Sequence, residues 1–371
     1  MPINFNPKYQ ITLKLASALL KLEGLKERIN QLPITPSVLA SLRETARLFS
    51  THYSTRIEGN RLSEKDVQMV IKKEQHFPGR ARDEKEVKGY YRALAVVEEF
   101  AQEKKPLTER QIRMIHGHVM GSGNKVAPPT PYRDGQNVIK DSRTGQIVYM
   151  PPESKDVPGL MKDMVGWLNL NAQAIPCPIQ AAIAHDQFAT IHPYYDGNGR
   201  TARLLTNLIL HLGGYGLKGI YSLEEYYARD LQAYYDAIAI GPSHNYYMGR
   251  AEADITNWLE YFVEGMAEAF AKVEEQASQA ANRWETDKTP ELRKLDPRQR
   301  KALTLFSRQQ IITSSDLALL FSFAPRTARL LLQKWTRQGF LAIADPSKKA
   351  RKYRLSPEFE KLFQANARVP N

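Results

Sequence analysis

His192-Pro193-Tyr194-Tyr195-Asp196-Gly197-Asn198-Gly199-Arg200-Thr201-Ala202-Arg203 joins two apolar helical stretches, one from about Pro178 to Ile191 and one running on through RTARLLTNLILHLGG. Pro178 falls in the first turn of the first helix, where its missing N–H costs nothing, and Gly213-Gly214 stops the second. The second helix is apolar on several faces, which predicts a central, buried position. Within the loop, Gly197, Asn198 and Gly199 tolerate positive φ, so the backbone can curl into a nest of N–H groups. The nest opens on a helix N-terminus, where unpaired N–H groups and the helix dipole both favour an anion. That combination reads as a phosphate cradle. Arg200 and Arg203, three apart on the first turn, share a face and can both reach a polyphosphate. Asp196, at the lip, is placed to hold a hard divalent ion such as Mg²⁺. His192 has a reference pKa of about 6.5, which suits a general base at neutral pH. The plain alternative is a Gly-Asn-Gly turn with His192 capping a helix. A His, an Asp, a Gly-x-Gly and two Arg within this one loop form a rarer conjunction.

The loop resembles the signature of the Fic family, H-P-F-x-[DE]-G-N-G-R-x-x-R, and departs from it at Tyr194, where the family has Phe. Tyr194 keeps the aromatic packing and adds a hydroxyl that needs a partner if buried. The resemblance implies a role for each residue. His192 would deprotonate a target hydroxyl and Asp196 would bind Mg²⁺. Gly197, Asn198 and Gly199 with Arg200 would hold the α- and β-phosphates of ATP, and Arg203 the γ-phosphate. The hydroxyl would attack the α-phosphorus in line and pyrophosphate would leave, so that AMP passes to a Ser, Thr or Tyr of a target protein by positioning and charge neutralisation. The segment 137–150, NVIKDSRTGQIVYM, carries the one clear strand signal in the chain. The resemblance makes it a flap that pairs with an extended target segment by strand addition; a structural hairpin is the plain alternative. Tyr235 and Ile238, three apart on one helix face, would sandwich adenine, with core packing an equal alternative.

Upstream, Ser54-Thr55-Arg56-Ile57-Glu58-Gly59-Asn60 places Ser54 and Glu58 on one helix face, with Gly59 ending the helix. A bare S-x-x-x-E-G is common on capped surface helices. Beside this loop it resembles the family's inhibitory motif, [ST]-x-x-x-E-[GN]. Glu58 would then make a bidentate pair with Arg203, occupy the γ-phosphate site and inhibit the chain in cis.

The rest of the chain is mainly α. Helical periodicity runs from Pro36 to Phe49, Val67 to Ile71 and Val87 to Phe100, with capping boxes at Ser63/Asp66 and Thr108/Gln111. Further helices are expected over about 157–170, 223–239 and 249–280, and a linker over 281–297. At 371 residues, with 42% hydrophobic and 25% charged, the chain reads as two or three globular domains. The fold expected is a Fic-type helical core with a small β-hairpin flap, followed by a C-terminal winged helix. The parts are an N-terminal helical region 1–106, a Fic domain 107–262, a helix and linker 263–290, and a winged helix 291–371. The last part holds 17 Lys+Arg against 6 Asp+Glu, and the first 290 residues hold 35 against 34, so the formal charge of +12 belongs almost wholly to the tail. Arg326, Arg329, Lys334 and Arg337 on its third helix, and Lys348, Lys349, Arg351 and Lys352 at the wing tip, suit phosphate contacts with DNA; Leu330, Leu331 and Trp335 read as its core. A winged helix that binds protein is the alternative. Cys177, the sole cysteine, reads as a bystander. No membrane-spanning run or signal-peptide layout appears, which points to the cytoplasm. A homodimer is left open.

Two other functions stay on the table. A Fic-type fold could remove AMP or move another phosphate-linked group, or it could sense a nucleotide for a DNA-binding regulator, although sensing needs neither His192 nor Asp196.

Overall fold

The computed structural model describes residues 4–32, 34, 36–124, 126–140, 144–241, 243–283, 295–306, 309–345, 347 and 351–360. Residues 141–143 of the expected flap, most of the expected linker and the wing-tip residues Lys348 and Lys349 lie outside them. The chain divides into two compact units, Met1–Glu27 with Glu44–Lys272, and Arg28–Arg43 with Val273–Asn371.

The first unit is helical. In chain order its elements are α1 (Leu13–Gln31), α2 (Pro36–Ile57), α3 (Glu64–Lys73), α4 (Ala81–Glu103), α5 (Glu109–Met120), β1 (Ile139–Lys140), β2 (Ile147–Tyr149), α6 (Val157–Leu170), α7 (Cys177–Ile191), α8 (Asn198–Leu212), α9 (Leu223–Arg229), α10 (Leu231–Ile238) and α11 (Thr256–Arg283), with α1, α2 and α11 contributing to both units. Helix α8 sits at the centre and packs against α7, α4 and α5. Leu204, Leu205, Leu208 and Leu210 on it are fully buried, each worth about 1.5–3 kcal/mol of transfer free energy. The central helix expected from its all-round apolar pattern is therefore present. Both capping boxes form, at Ser63/Asp66 and Thr108/Gln111.

Three elements differ from the sequence reading. The helix expected over 223–239 breaks at Asp230, whose non-helical backbone ends α9 and whose carboxylate accepts from Ala233 N to start α10. The helix expected from 249 begins only at Thr256. Gly249 there has φ +106° and the segment before Thr256 makes two short 3-10 turns. Helix α1 was not read at all. Strands β1 and β2 pair antiparallel, Ile139 opposite Tyr149, as a hairpin should.

The second unit holds α12 (Pro297–Phe306), α13 (Ser314–Phe321), α14 (Pro325–Arg337), β3 (Leu341–Asp345) and β4 (Lys352–Leu355), the strands pairing antiparallel with Leu341 opposite Leu355. Its core gathers Leu303, Ile312, Leu317, Ala328, Leu332, Trp335, Phe340 and Tyr353. Leu331 packs against this core, but Leu330 is 59% exposed. Ala328, Leu332 and Trp335, at spacings of four and three, set the buried face, and Leu330 falls on the far side of it. Among the described residues, no helix is long and apolar enough to cross a membrane.

Candidate functional site

Helix α7 ends at His192, which adopts φ +50° and closes the helix with its own N–H on Phe188 O at 3.0 Å. That left-handed turn costs a non-glycine residue energy and marks a position held by its surroundings. The His192 ring faces back on the helix, with Nδ1 3.2 Å from Ala189 O. A carbonyl can only accept, so Nδ1 carries the proton and Nε2 is left as the basic nitrogen. Burial lowers the His192 pKa to about 4, with Arg133 pushing the same way and Glu58 and Asp196 opposing. The ring is a neutral base across the physiological range.

The loop that follows is locked by its own side chains. Asn198 is buried, and its amide bonds both edges of Tyr194, donating to Tyr194 O at 2.7 Å and accepting from Tyr194 N at 3.0 Å. The Asn198 side chain is thus spent on the loop, and only its backbone N–H is left to face an anion. Gly197, at φ +77°, starts α8, and the first helical bond is Thr201 N to Gly197 O. The amides of 198–200 precede that bond and form the open end of the helix. A Cβ on Gly197 would stand 2.9 Å from Met120 Sδ and 3.2 Å from His116 Nε2, so glycine is needed for space as well as for φ. Asp196 Oδ1 accepts from Gly197 N at 2.6 Å and from Arg200 Nη2 at 3.0 Å, while the carboxylate itself is more than half exposed.

Arg200 and Arg203 are both buried. Arg203 carries the contact that matters most. Its Nε donates to Ser54 Oγ at 2.7 Å, and its Nη2 donates to Ser54 O at 2.9 Å and to Glu58 Oε1 at 2.8 Å. The bidentate Glu58–Arg203 pair expected from the sequence is corrected. Ser54 takes two of the fork's contacts and Glu58 one, because Glu58 sits just past the end of α2, where Gly59 at φ +89° turns the chain. Burial alone would lower the Arg203 pKa; Glu58, Tyr234 and Tyr90 outweigh it and hold the guanidinium above its ordinary range. The Glu58 carboxylate also lies where a side chain on Gly199 would be, with Oε1 2.3 Å from an ideal Cβ there. An acidic side chain therefore lies beside the amide end of α8.

Tyr235 stands beside this lock, its hydroxyl donating to Ile57 O at 3.2 Å, with its ring partly exposed. Ile238 is half-buried, and its carbonyl accepts from Arg250 Nη2 at 2.6 Å. Tyr194 packs as expected, stacked on His116 with centroids 3.5 Å apart, but its buried hydroxyl has no hydrogen-bond partner among the described residues. Cys177 is half-buried with Sγ 3.4 Å from Ile209 O, and burial pushes its thiol up to about 12, which suits a bystander.

Several site residues escaped the sequence reading. His116 bonds Asp196 O through Nε2 at 2.9 Å. Asn60, two beyond Glu58, donates to Glu86 Oε2 at 3.1 Å, and Glu86 Oε1 lies 3.8 Å from Arg200 Nη1. Buried Glu224 accepts from Ser50, Tyr90 and Asn207 and so ties α2 and α4 to α8. Arg133 clamps the carbonyl of His192. These partners are scattered over 50–224, and no local spacing links them.

Residues 106–210 match the Fic/DOC family. The chain carries a Fic domain. Protein adenylyltransferase fic-1 of Caenorhabditis elegans is 31% identical over 210 residues, 55% of this chain and 40% of that protein. Protein adenylyltransferase Fic of Drosophila virilis is 28% identical over 202 residues, 53% of this chain and 39% of that protein. The chain thus spans about two fifths of the length of the curated relatives it matches. Among solved structures, a Fic family protein of Desulfovibrio desulfuricans superposes with TM-score 0.60 at 22% identity, covering 95% of this chain and 99% of that one. Fic-1 of C. elegans superposes with TM-score 0.54 at 24% identity over 71% of each chain. These likenesses give the Fic domain its fold and place His192–Arg203 inside the matched segment.

Proposed function

We propose that the chain transfers AMP from ATP to a hydroxyl of a target protein and that Glu58 holds it inactive. One observation carries the reading: the Glu58 carboxylate rests on the amide end of α8, bonded to Arg203 at 2.8 Å and filling the space beside Gly199. A cradle built for a phosphate is occupied by an acid of the same chain.

The residues fit the chemistry. His192 presents a neutral Nε2 to take a proton from the attacking hydroxyl. The amides of 198–200 and Arg200 would receive the phosphates, and Arg203 the terminal one once Glu58 leaves. Asp196 is an exposed carboxylate just before the start of α8. That fits Mg²⁺, which binds through one or two carboxylates plus substrate phosphates and water. When bound there it would neutralise phosphate charge. Tyr235 and Ile238 would flank adenine. The flap, where Ile147 and Val148 stand exposed on β2, would take an extended target segment by strand addition. Two adenylyltransferase relatives support the reaction class.

For the tail we propose the winged-helix reading and DNA as partner. Three helices lead into an antiparallel pair, and Arg326, Arg329, Lys334 and Arg337 are all exposed on α14. The four-part division at 106, 262 and 290 belongs to the same proposal.

The test is incubation of the full chain with α-labelled ATP and a cell lysate. Label should enter protein weakly with the parent, strongly with Glu58→Gly, and not with the double variant Glu58→Gly, His192→Ala. No label with Glu58→Gly, or release of AMP from modified protein instead, would overturn the proposed direction.

A further inference from the structure

Arg133 lies in the segment between α5 and β1, 59 residues before His192, and is 4% exposed. All three of its guanidinium nitrogens donate to backbone carbonyls: Nε to His192 O at 3.0 Å, Nη1 to Gly135 O at 2.9 Å, and Nη2 to Pro152 O. Its own backbone N–H donates to Pro193 O at 2.9 Å. Gly135 and Pro152 stand at the two roots of the flap hairpin. One buried side chain therefore holds both roots of the flap and the residue that would serve as base. Burial lowers the Arg133 pKa, and the neighbouring phenols of Tyr195, Tyr247 and Tyr149 oppose this only in part. Among the described residues no carboxylate pairs with Arg133, and a buried guanidinium spent on carbonyls is costly. A merely structural tie between loops could be made by neutral groups.

We infer that Arg133 is a positioning residue, which fixes the His192 ring relative to the flap roots so that a hydroxyl presented along the flap arrives at Nε2. The inference rests on the proposed transfer reaction. Two other contacts run the same way: Asn137 Nδ2 donates to Tyr194 O at 3.1 Å, and the Tyr149 hydroxyl donates to Thr190 O at 2.8 Å. The flap's first residue and its second strand are thus tied to either side of His192, and Arg133 is the charged member of that frame. Lysine cannot replace it, because a single ammonium cannot span three carbonyls with the geometry of a planar fork.

The experiment compares Glu58→Gly alone with Glu58→Gly carrying Arg133→Met or Arg133→Lys, all as full chains. Both double variants should lose kcat by about a hundredfold while KM for ATP stays within about threefold, since misplacement of the base does not touch nucleotide binding. Millimolar guanidinium should restore part of the rate to Arg133→Met and none to Arg133→Lys. Unchanged kcat, a rise in KM for ATP as the sole effect, or loss without rescue by guanidinium overturns the inference. A second readout needs no transfer at all. The charges acting on the His192 ring are Arg133, Glu58 and Asp196, and in Arg133→Met its titration, followed by NMR on the ring, should move upward from about 4. A midpoint that stays in place also overturns it. Absence of transfer by Glu58→Gly alone would sink the proposed reaction and leave the titration to decide Arg133.

Discussion

The hexapeptide Arg-Thr-Ala-Arg-Leu-Leu occurs twice, at 200–205 in the first turns of α8 and at 326–331 in the first turns of α14. In α8 every one of the six residues is buried. In α14 only Ala328 is, while Arg326, Thr327, Arg329 and Leu330 face solvent. Both copies put two arginines on one helix face. In α8 other chain segments close over that face and bring Ser54 and Glu58 to Arg203, and Asp196 and Glu86 to Arg200. In α14 the same two arginines stay in water. The pair teaches that spacing makes a cationic face, and that the surroundings decide whether that face is buried against acidic and hydroxyl partners or left in water.

The largest effect should come from the residue that has no counterpart before α14. His192→Ala in a Glu58→Gly background should lower AMP transfer by about a hundredfold or more and leave ATP binding within about threefold, as initial rates and equilibrium binding would show. Unchanged transfer removes the proposed base and makes the α8 copy no more catalytic than the α14 copy. Next, Glu58→Gly should raise transfer by about tenfold or more by freeing Arg203. Adding Arg203→Ala should cancel the gain, while adding Arg329→Ala should not.

Stability should separate the two copies as well. Arg203→Ala strips a buried guanidinium from Ser54 and Glu58 and should cost about 3 kcal/mol in denaturant melts. Arg329→Ala, at an exposed site, should stay within about 0.5 kcal/mol. Equal losses would erase the contrast. Arg329→Ala should instead weaken binding of the full chain to duplex DNA and reduce the slope of log affinity against log salt by about 1. Salt-independent binding, or none at low salt, favours a protein partner for α14.

The smallest effect concerns pH. Burial lowers the pKa of His192 and His116 to about 4 and that of His185 to about 3. Below the unfolded value of about 6.5 the unfolded chain takes up protons that the folded chain refuses, so stability should fall as pH drops through about 4 and level off only below about 3, where His185 too is protonated in the folded chain. Transfer by Glu58→Gly should be flat between pH 6 and 8, because a base titrating at about 4 is already neutral there. A rate that climbs through about 6.5 would mean that His192 is solvated rather than buried.

Much of the fold was legible. The all-round apolar pattern of 200–212 announced a buried helix, and the Ser63/Asp66 and Thr108/Gln111 boxes marked two helix starts that are present. These signals are local, carried by residues within a turn of one another. The missed breaks were local too but ambiguous. Asp230 sits inside a stretch whose apolar spacing continues across it, and only its capping bond to Ala233 N shows that one helix ends and another begins. Leu330 was misread because a leucine pair looks like core from either side until Trp335 and Leu332 fix the buried face.

The sequence alone determined the local shape of the loop: a left-handed glycine, an open helix end and two arginines three apart follow from a dozen consecutive residues, because backbone geometry is written locally. It could also nominate Glu58 as an acid at the tip of a helix. What only the tertiary structure decided is where that tip goes, how Ser54 and Glu58 divide the fork of Arg203 between them, and that Arg133 reaches across 59 residues to hold the carbonyl of His192. Those contacts depend on how separate helices and loops pack, and packing joins residues whose distance along the chain carries no signal of their meeting.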